Sequence, residues 1–203
     1  MTATEIRRPR CPWAGAAGAR PDPLMVEYHD LEWGTPCHDD GQLFERLVLE
    51  TFQAGLSWST ILHKRAAFRR AFEGFRPEVV AGYGPTDRER LMTDATIVRN
   101  GAKIDATVAN ARAFLETRAA FGTFDAYLAS IVPAPPTRLP PTAAVGDVPA
   151  TTPISDGLSV DLRQRGFRFV GSTIVYAFLQ SVGLVDDHLP GCFRYGAAVV
   201  PPA

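Results

Sequence analysis

The chain has 203 residues, 46% of them hydrophobic and 21% charged, with a formal net charge of −1. That length allows one large domain or two small lobes with a real core, and the near-neutral charge excludes a polyanion partner argued from total charge, so local Lys and Arg would have to carry one. No apolar run approaches the roughly 18 residues of a membrane span, and Met1 to Arg10 lacks the apolar core of a signal peptide.

In chain order, the first forty residues show no periodic stretch but hold Trp13, Tyr28 and Trp33, which suits an ordered, irregular segment. The pattern turns helical from Gly41 and predicts a helix from Gln42 to Gln53. Ser57 follows as N-cap of a second, through about Phe72. Pro77 fits the first turn of a short helix. Thr86 is placed to cap Asp87 to Asp94, with Glu89 completing a capping box. An alanine-rich helix is expected from about Asn100 to Ala119, and another turn or two from Phe124 to Ile131.

Seven prolines between Ile131 and Ile154 rule out helix or central strand there, leaving a long connection. Ser155 then fits the cap of Asp156 to Arg165, ended by Gly166. Gly171 to Val182 supplies the last helix, stopped by Gly183. No strand pattern competes, so the fold class is all-α, with the N- and C-terminal segments able to come together.

Glu50 is the residue that does not belong. Leu43, Leu47, Glu50 and Ala54 fall at i, i+4, i+7 and i+11, the stripe a helix turns to its core. A buried carboxylate needs donors or a cation to replace its lost hydration; alternatively the stripe tilts and Glu50 reaches solvent or pairs with Arg46. The run Gln53-Ala54-Gly55-Leu56-Ser57-Trp58 follows, so an acceptor and a flat indole arrive close together, a pairing that suits a heteroaromatic ligand. A lone tryptophan is otherwise ordinary core.

The three cysteines, Cys11, Cys37 and Cys192, are widely spaced and odd in number, which fits a reducing, cytoplasmic setting better than a disulfide framework. Cys11 with His29, and His188 with Cys192, make a Cys2His2 set of the kind zinc favours, though Cys37-His38 is an equally legal pair. Basic residues gather at Lys64, Arg65, Arg69 and Arg70, at Arg99 and Lys103, and around Gly166. A solvated helix face explains such runs as well as a ligand does. The turn Asp94 to Asn100 could present backbone N–H groups to a phosphate.

These pieces stand in a familiar order. Cys11-Pro12-Trp13, Tyr28-His29-Asp30, Glu32-Trp33-Gly34, Glu50 and Gln53 to Trp58 come first. Lys103-Ile104, Asn110-Ala111-Arg112-Ala113, Arg165-Gly166-Phe167, Phe169-Val170-Gly171, Asp187-His188 and Cys192 follow. From roughly Cys11 to Tyr195 the chain resembles the 3-methyladenine DNA glycosylase I family.

The resemblance implies an all-α helix-hairpin-helix DNA glycosylase fold with a zinc-stapled lobe joining the N- and C-terminal segments. It implies one domain over 1–203 with a helical lobe at 42–131 and its hairpin near 94–100. The zinc-containing lobe would come from 11–41 and 155–195, with a Pro-rich connection at 132–154. Structural Zn2+ would be held by Cys11, His29, His188 and Cys192, so Cys37 and His38 drop out. Glu50 would be the catalytic residue, bonding the edge of the excised base, with Trp58 stacked on its face and Tyr28, Trp13 and Trp33 lining or supporting the pocket. Met25 stands where the family often has a second pocket tyrosine.

Thr96 stands for an expected glycine in the hairpin, which would grip the phosphate backbone with Arg99 and Lys103. The insertion-like stretch Ala14 to Arg20 is a further departure. The activity implied is that of a monomer that flips 3-methyladenine out of alkylated double-stranded DNA and hydrolyses its glycosidic bond, without a lyase step. Two rivals from other classes are a non-catalytic damage-binding module of the same fold and a zinc hydrolase, the latter needing an open metal position.

Overall fold

The stripe on the helix carrying Glu50 turns inward as its spacing requires: Leu43 and Leu47 are fully buried and Glu50 is only 3% exposed. The computed structural model describes residues 8–15 and 21–197, so the insertion-like stretch lies outside the described residues from residue 16 onward. The helices are α1 (Pro23–Leu31), α2 (Asp40–Gln53), α3 (Trp58–Ala71), α4 (Pro77–Val80), α5 (Pro85–Thr93), α6 (Gly101–Phe121), α7 (Phe124–Ile131), α8 (Pro153–Gln164) and α9 (Ser172–Ser181). Two-residue strands β1 (Thr137–Arg138) and β2 (Val185–Asp186) pair in parallel, Thr137 opposite Val185. The chain divides into two compact units.

The first unit takes residues up to Pro36, Pro133–Ala150 and the chain from Leu179. Helix α1 lies where an irregular segment was expected. Asp22 caps it, accepting from the Leu24 N–H at 3.0 Å, and Pro23 opens it with a φ already set for a helix. Its buried face is Val26, Tyr28 and His29, too polar to register as an apolar stripe. The remaining segments are stitched by backbone bonds: Gly34 N–H to Gln180 O at 3.0 Å, and Phe193 N–H to Pro9 O at 2.9 Å. Gly183, at φ +75°, meets the backbone of Thr35 and Pro36 so closely that a Cβ would lie 2.5 Å from Thr35 C. The strands were missed because two residues cannot show alternation; Arg138 Nε on Asp186 Oδ2 at 2.8 Å reinforces the pairing.

The second unit takes Cys37–Val132 and Thr151–Phe178. Residues 155–178 therefore fall with the helical lobe rather than with the N-terminal segment, and most of the Pro-rich connection, Pro133–Ala150, falls in the first unit. The physical reason is polar as well as apolar. Asn110 of α6, fully buried, accepts from the Arg168 N–H at 2.7 Å and donates to Arg168 O at 3.1 Å, while Ser159 Oγ of α8 donates to Val170 O at 2.6 Å. The core is aromatic: Phe52, Phe68, Phe72 and Phe75 run in sequence with ring centroids 4.7–6.2 Å apart, and Phe114 stacks on Phe124 at 4.3 Å. Each such ring contributes about 1.5–3 kcal/mol by burial.

Two helix starts differ from the sequence expectation for one reason. Thr86 and Ser155 were placed as caps, but Pro85 and Pro153 open α5 and α8 at the first helical position. Gly84 caps α5, its N–H bonded to Asp87 Oδ2 at 3.2 Å, and Thr152 caps α8, with Ser155 inside the first turn bonding back to it. The α7 helix spans Phe124–Ile131 as expected.

Candidate functional site

In the first unit, Cys11, His29 and Cys192 are buried and bring their ligand atoms within 4.8 Å of one another, a group that could hold a metal ion. His29 rides on α1, and the two cysteines sit on loops near opposite ends of the chain. Asp30 holds the far nitrogen of His29, with Nδ1 and Oδ1 2.8 Å apart, and Arg10 in turn grips Asp30 with a 2.7 Å contact. Burial pushes the Asp30 carboxyl up, but Arg10 and His29 outweigh it and hold its pKa low. Cys11 is pushed up because its proton bonds to Cys192, and Cys192, receiving that bond, is pulled down.

His188 is 1% exposed and its ring lies 5.1 Å from that of His29. Its Nδ1 is held by Asp186 Oδ1 at 2.9 Å, whereas its Nε2 is buried with no hydrogen-bond partner among the described residues. A buried orphan nitrogen is rare and calls for an occupant. Gly34, at φ +69°, makes room for this ring, since a Cβ there would lie 2.6 Å from His188 Cε1. Trp33 packs its edge on His188 at 4.6 Å, and Trp13, 40% exposed, touches Trp33, His29 and Tyr28 at 5.1, 5.3 and 6.2 Å. Met25 is half-buried on α1.

In the second unit, Glu50 sits among fully buried neighbours on α2, and its Oε2 has no hydrogen-bond partner among the described residues. Burial pushes its pKa up to about 8, against the opposing positive charge of Arg46. Between α2 and α3 the chain turns tightly, with Gly55 at φ +80° and the Leu56 N–H bonded to Gln53 O at 2.6 Å. Ser57 caps α3 as expected, accepting from the Thr60 N–H at 3.2 Å, and half-buried Trp58 is the first residue of that helix.

Two turns between helices bear on a phosphate contact. In the one at 94–100, between α5 and α6, Arg99 is exposed, but the Thr96 N–H is already bonded to Asp94 Oδ1 at 2.8 Å. Lys103, expected as a phosphate contact, is turned inward. It is 5% exposed, and its Nζ donates to Phe52 O at 2.8 Å and Ala54 O at 2.6 Å. That placement gives no support to a phosphate-binding role. The second turn, 165–171 between α8 and α9, carries Gly166 at φ +96° and Phe169 at φ +56°, with Arg168 and Phe169 exposed. A non-glycine residue held in that region signals a backbone fixed by its surroundings. Sequence reasoning did not single it out as a ligand-facing turn, although its paired glycines were the available signal. It also passed over Asp30 and Asp186, whose adjacency to His29 and His188 was legible.

A helical protein with a Cys/His cluster in one unit and, in the other, a buried carboxyl with one oxygen unbonded among the described residues is thus defined. The methyladenine glycosylase family model matches residues 18–195, and the chain belongs to that family. It is 44% identical over 186 residues to DNA-3-methyladenine glycosylase 1 of Escherichia coli (strain K12), covering 92% of this chain and 96% of that protein. It is 41% identical over 183 residues to the DNA-3-methyladenine glycosylase of Haemophilus influenzae, covering 90% and 96%. A solved structure of the Staphylococcus aureus 3-methyladenine DNA glycosylase I, described as giving the basis of 3-methyladenine recognition, superposes with a TM-score of 0.85 at 38% identity. It covers 93% of this chain and 98% of that one.

Proposed function

We propose that this protein is a monofunctional glycosylase that removes 3-methyladenine from alkylated DNA. Glu50 carries the reading: a carboxyl with an unsatisfied buried oxygen is retained against its desolvation cost where a ligand supplies the missing donor. Methylation at N3 leaves the base cationic, so the glycosidic bond is weakened and the base departs as a neutral molecule. The protein must extrude the nucleotide, at a cost of a few kcal/mol, and hold the base by its edge and face.

Glu50 accepts from the base's amino edge and, once ionised, favours the cation. Trp58 stacks on the ring, worth about 1–3 kcal/mol. Water then attacks the oxocarbenium-like sugar. The resemblance also assigns Tyr28, Trp13, Trp33 and Met25 to base binding. Trp33 packs on His188, which favours a share through the metal cluster.

The reading gives a zinc ion four ligands: the clustered Cys11, His29 and Cys192, with His29 oriented by Asp30, and His188, which lies outside that close cluster but is oriented by Asp186 with its other nitrogen unpartnered among the described residues. A bound zinc would supply no chemistry to the base, only a closed cross-link between N- and C-terminal segments. Arg99 and Thr96 remain proposed DNA-backbone contacts. The exposed Arg168 and the strained turn at 165–171 favour that second hairpin as a helix-hairpin-helix grip on double-stranded DNA. We take the protein to act as a cytoplasmic monomer.

Chromatography of bases released from methylated duplex DNA tests this. Release of 3-methyladenine with intact, heat-labile abasic strands supports it. Tight binding to damaged DNA with no base released would make the protein a damage-binding module.

A further inference from the structure

Lys103 occupies a position that the glycosylase reading has not used. A lysine near a helix C-terminus commonly bonds its last carbonyls from the surface. This one comes from another helix 51 and 49 residues away and is only 5% exposed. Burial pulls its pKa down, so the ammonium is held there at a cost. What it bonds is the end of α2: Phe52 O, and the O of Ala54, the C-cap residue at φ −47° and ψ 113° where the helix breaks. Glu50 lies one turn before that break and Trp58 opens α3 four residues after it.

The backbone of Lys103 is equally fixed. Its N–H bonds to the Asn100 side chain, the N-cap of α6 that ends the 94–100 hairpin, at 3.2 Å. Lys64, on the helix that Trp58 begins, donates to Thr96 O on the same hairpin at 2.9 Å. The hairpin, the break after α2 and the start of α3 are therefore closed into one ring of polar contacts, with Lys103 holding the link nearest Glu50.

We propose that Lys103 is a positioning residue for base excision: its ammonium sets the α2–α3 break and thereby the geometry between Glu50 and Trp58. This rests on the assignment of those two side chains to the base. Reacting groups displaced by about 1 Å can lose roughly 100-fold in rate while the remote contacts that bind the substrate survive. A residue that merely stabilises the fold would lower the melting temperature and leave the rate of the folded protein unchanged.

The test is single-turnover release of 3-methyladenine from methylated duplex DNA over a range of enzyme concentrations, with the full-length chain held well below each variant's melting temperature. Lys103→Met is expected to lower the maximal rate by about 10- to 100-fold while the half-saturating enzyme concentration moves by less than about threefold. Lys103→Gln, which keeps a donor, is expected to fall between it and the parent, and is the variant measured should Lys103→Met not fold. A folded variant with an unchanged maximal rate overturns the proposal, as does a rate lost only through weaker DNA binding. A parent protein that releases no base at all would instead refute the glycosylase reading on which the proposal stands.

Discussion

Asp186 holds Nδ1 of His188 at 2.9 Å, and the other nitrogen of that ring is left buried and unpartnered among the described residues. His29 is held at Nδ1 in the same way, by Asp30. Cys11, His29 and Cys192 cluster closely enough to hold a metal ion, and the proposed zinc site adds His188 to them. On that basis purified protein is expected to contain one zinc ion per chain. Asp186→Asn should weaken metal binding by about 10- to 100-fold, and chelation should lower the melting temperature; metal content and thermal denaturation with and without chelator check this.

Glu50 should make stability fall as pH rises. Its folded pKa, about 8, lies above the unfolded value of 4.5, so between those values unfolding releases a proton and is increasingly favoured. The stability that protonated Glu50 allows is fully present below about 4.5 and lost through about 8. Glu50→Gln, which cannot ionise, should flatten this slope and melt higher than the parent at pH 8, by roughly 2–4 °C for each kcal/mol relieved. Melting curves from pH 5 to 8.5 read it directly.

The same titration should appear in catalysis. If the ionised carboxylate receives the cationic base, kcat/KM rises with pH up to about 8 and levels off above it, because that ratio reports the free enzyme. A profile flat from pH 6 to 9 would contradict an ionised Glu50 at the base.

Trp58→Ala should reduce affinity for free 3-methyladenine by about 5- to 150-fold, the equivalent of one stacking interaction of 1–3 kcal/mol. Binding titrations by calorimetry check it, the salt dependence of DNA binding staying unchanged.

Gly183→Ala tests the first unit's closure. A Cβ would meet the Thr35 and Pro36 backbone at 2.5 Å from a φ of +75°, so neither space nor conformation allows it. A loss of more than about 2 kcal/mol is expected in denaturant melts, against a small effect for Gly55→Ala, where strain alone applies because no atom lies within 4 Å.

Much of this was legible in the sequence, and the exceptions have physical causes. Helices α2 and α7, with apolar stripes, follow from periodicity, α6 from its run of alanines and other helix formers, and Glu50 was visible because it interrupts one stripe. Helix α1 was not, since Tyr28 and His29 occupy its buried face; nor were two-residue strands. Lys103 reads as a surface cation because charge sign, unlike side-chain direction, is what a sequence displays; only the fold shows that it turns to Phe52 and Ala54. The Cys/His set could be paired in more than one way until the resemblance, and then the geometry, set Cys37 apart: its thiol lies 3.8 Å from Gln42 Oε1, and it is not among the clustered ligands.

The most direct measurement is single-turnover release of 3-methyladenine by the parent and by Glu50→Gln, both verified as folded. We predict release by the parent and a loss of about 100-fold or more in the variant, the cost of removing a charged contact made to the departing base. A folded Glu50→Gln that releases the base at the parent rate would contradict the account.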